Sequence, residues 1–289
     1  MPESLSAPSP AKLNLTLEVL SRRDDGYHEL ETVLQTLELA GAVTVTLDSD
    51  APGVAATGPF ADGVPVDGTN LALRAAAALA ARTGRDISRL RIELEKRVPA
   101  AGGLGGGASD AATTLRLLQR AWNLPEPVLF AAAESVGSDE SFFLAGGTAW
   151  ATGRGERVRP LPPLPPAAVV LFVPGSTLER KTARLFAALD AQPFDPGGVS
   201  AMFARRPATP VTGWDVYNAF ERVAFDVFPG LGKLFEALEE RIGQPIHLAG
   251  AGPTLFWIGG EDGAERAVDA GAGLPCTTIR TRTAPSLWR

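Results

Sequence analysis

The segment Lys96-Arg-Val-Pro-Ala-Ala-Gly-Gly-Leu-Gly-Gly-Gly-Ala-Ser-Asp110 carries the plainest chemistry in the chain. Five of the six residues 102–107 are glycine. Glycine accepts positive φ and lets backbone approach a ligand closely, at an entropic cost that a function explains. A strand pattern precedes the segment, and a helix is expected to open near Ala108 or Ser109. The first amides of such a helix have no intrahelical acceptor, and with the helix dipole they form an anion site. Pro99, Gly102, Gly103, Leu104, Gly105, Gly106, Gly107, Ala108 and Ser109 are therefore candidate phosphate-binding residues. The Ser109 hydroxyl could also reach Mg²⁺, and Lys96 is a candidate nucleotide contact. A Walker loop requires Lys-Ser or Lys-Thr where Ala108-Ser109 stands. A dinucleotide fingerprint fits Gly103, Gly105 and Ala108 formally, but the preceding strand alternates and carries Glu93, Glu95 and Arg97, unlike the buried strand of a βαβ unit.

Several function classes are excluded by bulk properties. The 289 residues hold 27 basic and 33 acidic side chains, a net charge of −6, which gives no support for binding nucleic acid or a membrane surface. The single cysteine, Cys276, rules out an internal disulfide and fits a reducing compartment. His28 and His247 are too few for a typical zinc site. No leader is read in the first ten residues and no apolar run reaches spanning length, so a cytoplasmic protein is expected.

Positioning the glycine segment falls to an α/β chain. Residues 13–20 alternate, with Leu13, Leu15, Leu17 and Val19 on one face and Lys12 and Asn14 on the other. Residues 43–47 and 90–94 repeat the pattern, as half-buried strands do. Helices are expected at 70–83, 109–122 and 127–136. Pro160-Leu-Pro-Pro-Leu-Pro-Pro166 reads as a stiff connector or as a surface loop. Taken as a boundary, it divides the chain into domains 1–163 and 164–289. Beyond it come an apolar strand at 167–173, helices at 181–190, 226–242 and 262–270, and strands at 246–249, 254–258 and 276–282. That order fits a split βαβ layer with one extra helix. Residues 192–211 are expected to be loop.

Three segments in order resemble the GHMP kinase superfamily, which includes galactokinase and the homoserine and mevalonate kinases. They are Pro10-Ala-Lys-Leu-Asn-Leu15, the glycine segment through Ala112, and Leu248-Ala-Gly-Ala-Gly-Pro-Thr-Leu255. Asp24-Asp-Gly-Tyr-His28 is similar to the branch that phosphorylates CDP-methylerythritol in isoprenoid precursor synthesis. The resemblance implies a two-domain α+β fold. Its N-terminal domain would be like the second domain of ribosomal protein S5, its C-terminal domain ferredoxin-like, and its substrates would lie between them. It implies ATP and Mg²⁺ as cofactors, CDP-methylerythritol as the small-molecule partner, and a monomer or homodimer.

The same resemblance assigns roles. Lys12 and Asp139 would be catalytic: Gly137-Ser-Asp-Glu-Ser-Phe-Phe143 resembles the stretch whose aspartate accepts or orients the hydroxyl proton. Asn14 would bind substrate, Tyr27 would stack on cytosine and His28 would bond its edge. Tyr217 and Asn218 lie near a second base-stacking position, which falls on Val216. Asn70 would lie near adenine, or cap a helix, or both. Gly250 and Gly252 would belong to a loop closing over phosphates. The chain departs from the pattern at Ala108, Glu140, Ser141 and Ala249; Glu140 would add a carboxylate beside Asp139. His247 receives no role. The rivals are another GHMP kinase and a nucleotide-binding module without catalysis.

Overall fold

A computed structural model describes residues 4–175 and 178–286; residues 1–3, part of the stretch read for a leader, lie outside it. The first half runs β1 (Ser4–Arg22), β2 (His28–Thr46), β3 (Gly53–Thr57), α1 (Leu71–Thr83), β4 (Arg91–Glu95), α2 (Gly106–Trp122), α3 (Glu126–Glu134), α4 (Asp139–Ala145), β5 (Thr148–Gly153) and β6 (Arg157–Pro160). The second runs β7 (Ala168–Pro174), α5 (Lys181–Leu189), α6 (Val199–Arg205), β8 (Tyr217–Asn218), α7 (Glu221–Val227), α8 (Leu231–Ile242), β9 (His247–Leu248), β10 (Leu255–Gly259), α9 (Glu261–Ala270) and β11 (Cys276–Arg282). Among the described residues no helix is long and apolar enough to cross a membrane.

Two sheets make the frame. The first is ordered β3-β4-β2-β1-β8, with β5 on β2 and β6 on β5. The second is ordered β11-β7-β10-β9, all antiparallel. With strands β7, β9, β10 and β11 taken in chain order, this is the 4-1-3-2 arrangement of the expected ferredoxin-like layer. Helices α1, α2 and α3 cover one face of the first sheet, through Leu79, Leu115 and Leu129 against Val43, Val45 and Ile92. Its other face meets the second sheet, through Ala11, Leu13, Leu15 and Val33 against Val169, Leu171 and Phe256. Helices α5, α7, α8 and α9 close the far side. The result is four layers, helix, sheet, sheet, helix.

This layering alters the reading of β1. It is not half-buried: Lys12, Asn14, Thr16 and Glu18 are as enclosed as the leucines between them. The covering groups come from the second half. Glu18 accepts from the amides of Val199 and Ser200, and Asp195 accepts from the amide of Val19. Residues 192–211, expected to be loop, thus hold α6 against β1. The helix expected at 226–242 is two helices, because Pro229 cannot continue α7 and Gly230 turns the chain through a positive φ before α8. Strands β5 and β6 have no counterpart in the sequence reading.

Helix α2 begins at Gly106, earlier than the expected Ala108 or Ser109. Two glycines in a first turn cost about 1 kcal/mol each against alanine. Packing offsets this, since every residue from Ala108 to Leu115 is buried. Helix α1 follows its local signals instead: Asn70 caps it by accepting from the Ala72 amide at 2.9 Å, and Gly84 ends it in the left-handed region.

Candidate active site

Two register shifts in the β1–β2 ladder, between Pro10 and Lys12 and between Asn14 and Thr16, bracket the first motif. Bulges of this kind re-aim side chains at functional sites. Here they send Lys12 and Asn14 into a cleft of about 1090 Å³. The Lys12 ammonium donates to Asn14 Oδ1 at 2.7 Å. Asn14 Nδ2 donates to Thr32 Oγ1 at 2.7 Å, and that hydroxyl donates to Thr16 O at 2.6 Å. The lysine is therefore aimed by a satisfied buried chain rather than left to sample rotamers. Asp139, in the first turn of α4, places Oδ2 3.6 Å from Lys12 Nζ and remains partly open to the cleft. A cation held against a carboxylate at the mouth of an anion site suits proton acceptance from a hydroxyl and stabilisation of charge on a phosphate.

The glycine segment serves two purposes, one of them not anticipated. In α2 the first helical bond recorded is Ser109 N–H to Gly105 O at 2.9 Å. The amides of Gly106, Gly107 and Ala108 precede it, and these residues line the cleft. Gly102 and Gly103 line the cleft too, and they also abut the third-motif loop, within residues 248–255. A Cβ on Gly103 would collide with Ala249 O, and one on Gly252 would collide with the Gly102 backbone. A Cβ on Gly105 would lie 2.8 Å from the Phe143 ring and 3.0 Å from Lys12 Cγ. Part of the glycine excess thus answers backbone against backbone rather than backbone against ligand.

Several expected contacts fall elsewhere. Ser109 is fully buried, its hydroxyl has no hydrogen-bond partner, and it does not line the cleft. Its hydroxyl points inward, against the expected phosphate or Mg²⁺ role. Gly252 also stays off the cleft wall, packed on Gly102. Asn218 is buried and ties the third-motif loop, donating to Leu248 O and Gly250 O at 2.8 and 2.9 Å, so it positions Gly250 rather than meeting substrate. Tyr217 does not line the cleft; its hydroxyl donates to Asp195 at 2.5 Å. Lys96 does line it, but its ammonium is paired with the buried Asp110 carboxylate. Asn70 lines the cleft while capping α1, so its two readings coincide in one place. His247 bonds Gly213 O at 2.8 Å and Glu221 at 3.1 Å, a structural position.

At the β1–β2 turn, Tyr27 is exposed and His28 is buried. His28 Nε2 bonds Asp190 Oδ1 at 2.6 Å, and its ring stacks on Phe186 at 4.3 Å between centroids. The Arg154 guanidinium lies 4.6 Å over the Tyr27 ring. Phe186, Asp190, Arg154 and Lys181 all line the cleft and were missed in the sequence. Phe186 is an aromatic at the cleft, whereas the sequence reading looked for one near Val216; the signal available was an aromatic in helix α5 four residues before an acid. Lys181 donates to Ala251 O at 3.0 Å, and burial beside the Lys12 charge brings its ammonium down to about 8.

Glu140 does not join Asp139 in the cleft. It is buried and folds back over Gly137, and burial raises its carboxyl to about 7. Between its ordinary value and 7 the folded state holds a proton the unfolded chain has lost, so this group makes stability fall as pH rises through that window. Glu140→Gln should raise the melting temperature at pH 8 and leave it nearly unchanged at pH 4.5. At most about 3 kcal/mol is expected at the higher pH. An equal shift at both pH values would contradict the burial argument.

Among the described residues no cluster of three or more His, Cys, Asp or Glu could hold a metal ion. Comparison with known proteins follows the same lines. Residues 70–147 match the model of the GHMP kinase N-terminal domain. The chain is 37% identical over 260 residues to 4-diphosphocytidyl-2-C-methyl-D-erythritol kinase of Dehalococcoides mccartyi, covering 86% of this chain and 87% of that protein. With the enzyme of the same name from Saccharopolyspora erythraea it shares 35% identity over 99% of this chain and 93% of the relative. A crystal structure of a 4-(cytidine 5'-diphospho)-2C-methyl-D-erythritol kinase superposes with a TM-score of 0.74 at 34% identity, over 97% of this chain and 99% of that one. Methanococcus jannaschii mevalonate kinase shares the fold at a TM-score of 0.68 and 12% identity, over 98% and 99% of the two chains.

Proposed function

This chain belongs to the family of 4-diphosphocytidyl-2-C-methyl-D-erythritol kinases, and on that premise we propose how its cleft carries out ATP-dependent phosphorylation of the 2-hydroxyl of CDP-methylerythritol. The observation that carries the reading is the Lys12–Asp139 contact beside the amides that open α2. The substrate hydroxyl approaches Asp139, which accepts or orients its proton. Lys12 holds that carboxylate and offers its remaining donors to the phosphoryl oxygens. Asn14 keeps Lys12 in register. The amides of Gly106, Gly107 and Ala108 receive the triphosphate, and Asn70 borders the adenosine end. Phosphoryl transfer asks little of the protein beyond positioning and charge stabilisation.

The cytidine occupies the other end, where Tyr27 and Phe186 supply aromatic faces and His28, oriented by Asp190, supplies a polar edge. Mg²⁺ would enter with the triphosphate, which supplies most of its oxygen ligands, with Asp139 a cleft carboxylate left partly open to it, whereas Asp110 is buried on Lys96; when bound it neutralises phosphate charge. The division of the chain near residues 163 and 164 is supported by the second sheet, whose four strands all lie beyond it, although β8 joins the first, and a cytoplasmic setting by the lone cysteine. Coupled measurement of ADP release with CDP-methylerythritol, homoserine and mevalonate tests the reading. Turnover is expected with the first alone; its absence there would overturn the assignment.

A further inference from the structure

Lys181 has no place in the account so far. It opens α5, in the second half of the chain, and lines the cleft. Its ammonium is fixed to Ala251 O at 3.0 Å. The preceding residue, Gly250, packs against the first motif: a Cβ there would stand 3.1 Å from Lys12 Nζ and 3.0 Å from Asn14 Oδ1. The turn at 250–251 therefore gathers two lysines, one from each half of the chain, at one point. The charged groups acting on Lys181 are Lys12 from β1 and Asp139 from α4. The third-motif loop presents only backbone, while Arg184 sits further along α5 and Asp190 just past its end.

Two ammonium groups confined in a half-enclosed cleft repel each other and lose hydration. An anion between them removes both penalties. The group that must pass beside Asp139 is a phosphoryl group with charge spread over three oxygens. We propose that Lys181 is a further catalytic residue, gripping the transferring phosphoryl group together with Lys12. This rests on the kinase reading above. In the step, the substrate oxygen bonds to the γ-phosphorus while its proton passes to the Asp139 carboxylate. The bond from that phosphorus to the bridging oxygen breaks, and its electron pair leaves with ADP. Lys181 neutralises the equatorial oxygens throughout and exchanges no proton.

The lowered ammonium gives the proposal a signature. In the free protein the lysine loses its proton as pH rises through about 8, so kcat/KM should decline above that value. An arginine at the position stays charged throughout. The test is steady-state ADP release with ATP and CDP-methylerythritol by the full chain, Lys181→Met and Lys181→Arg, across the alkaline range, with calorimetric binding of CDP-methylerythritol alongside. Lys181→Met should lower kcat by about 10–100-fold while KM and binding change less than about threefold. Lys181→Arg should retain most of kcat and carry the alkaline limb upward by a pH unit or more, about tenfold in proton concentration. A Lys181→Met variant with normal kcat, or a Lys181→Arg variant whose limb stays in place, would overturn the proposal. A residue that merely braced Ala251 would lower the melting temperature and leave the limb where it was. If Lys181→Met fails to fold, the Lys181→Arg profile decides alone. An unmodified chain without turnover on CDP-methylerythritol would overturn the kinase reading itself, and this proposal with it.

Discussion

Asp139→Asn lowers turnover by about 10²–10⁴-fold while the protein stays folded and still binds both substrates. The amide keeps the size and shape of the carboxylate but cannot take a proton, and it no longer attracts Lys12 across the 3.6 Å gap. Asp139 is partly exposed, so the stability cost is confined to one favourable charge in the first turn of α4, about 0.3–1 kcal/mol. The measurements are single-turnover phosphorylation, which isolates chemistry from product release, and a thermal melt. A folded variant that turns over within a few-fold of the parent would remove Asp139 from the mechanism. Binding lost in proportion to rate would instead make it a substrate anchor.

The second large effect concerns a residue with no side chain. Gly103→Ala should destabilise the protein by about 2–5 kcal/mol, combining a left-handed backbone cost with a collision against Ala249 O. Gly84→Ala separates the two terms. Gly84 also has positive φ, but a Cβ there meets nothing within 4 Å, so it should cost only about 1–2 kcal/mol. Any Gly103→Ala protein that folds must push the third-motif loop away. Gly250 then leaves Lys12, and ATP turnover should fall by an order of magnitude or more. Urea unfolding of the two variants side by side gives the answer; equal losses would mean that the close approach carries no energy.

Much of the cleft was legible because its residues sit in short, ordered patterns. Alternation put Lys12 and Asn14 on one face, and the structure joins them by a direct hydrogen bond. The glycine run announced an anion site, and the amides of Gly106 and Gly107 stand at the cleft. Failures arose where long-range packing overrules local preference. Helix α2 was expected to open near Ala108 or Ser109, but it starts at Gly106, and the Ser109 hydroxyl lies buried rather than at the cleft. Alternation in β1 suggested a solvated face; the groups that cover it lie about 180 residues on, at Val199 and Ser200. Lys181 had no readable spacing, since its partner Ala251 is 70 residues away and offers only a carbonyl. Pro229 was the local clue to the break between α7 and α8, which the expected helix at 226–242 ran across.

The seating of α6 and β8 on β1 bears on how the polypeptide is born. Glu18 leaves the ribosome early, yet the two amides that satisfy its carboxylate are synthesised 181 and 182 residues later. Val19 waits in the same way for Asp195, and Leu17 for Ala219. Until those segments emerge, the face of β1 that carries Glu18 lacks its cover and the carboxylate bonds water; closing that face without the two amides would carry a desolvation penalty too large for a marginally stable domain. The nascent N-terminal half must therefore hold its central hairpin open to water, and loop closure over such separations makes its completion a slow, late event. A chain that stalls before residue 200 is then a client for a chaperone rather than a half-finished enzyme.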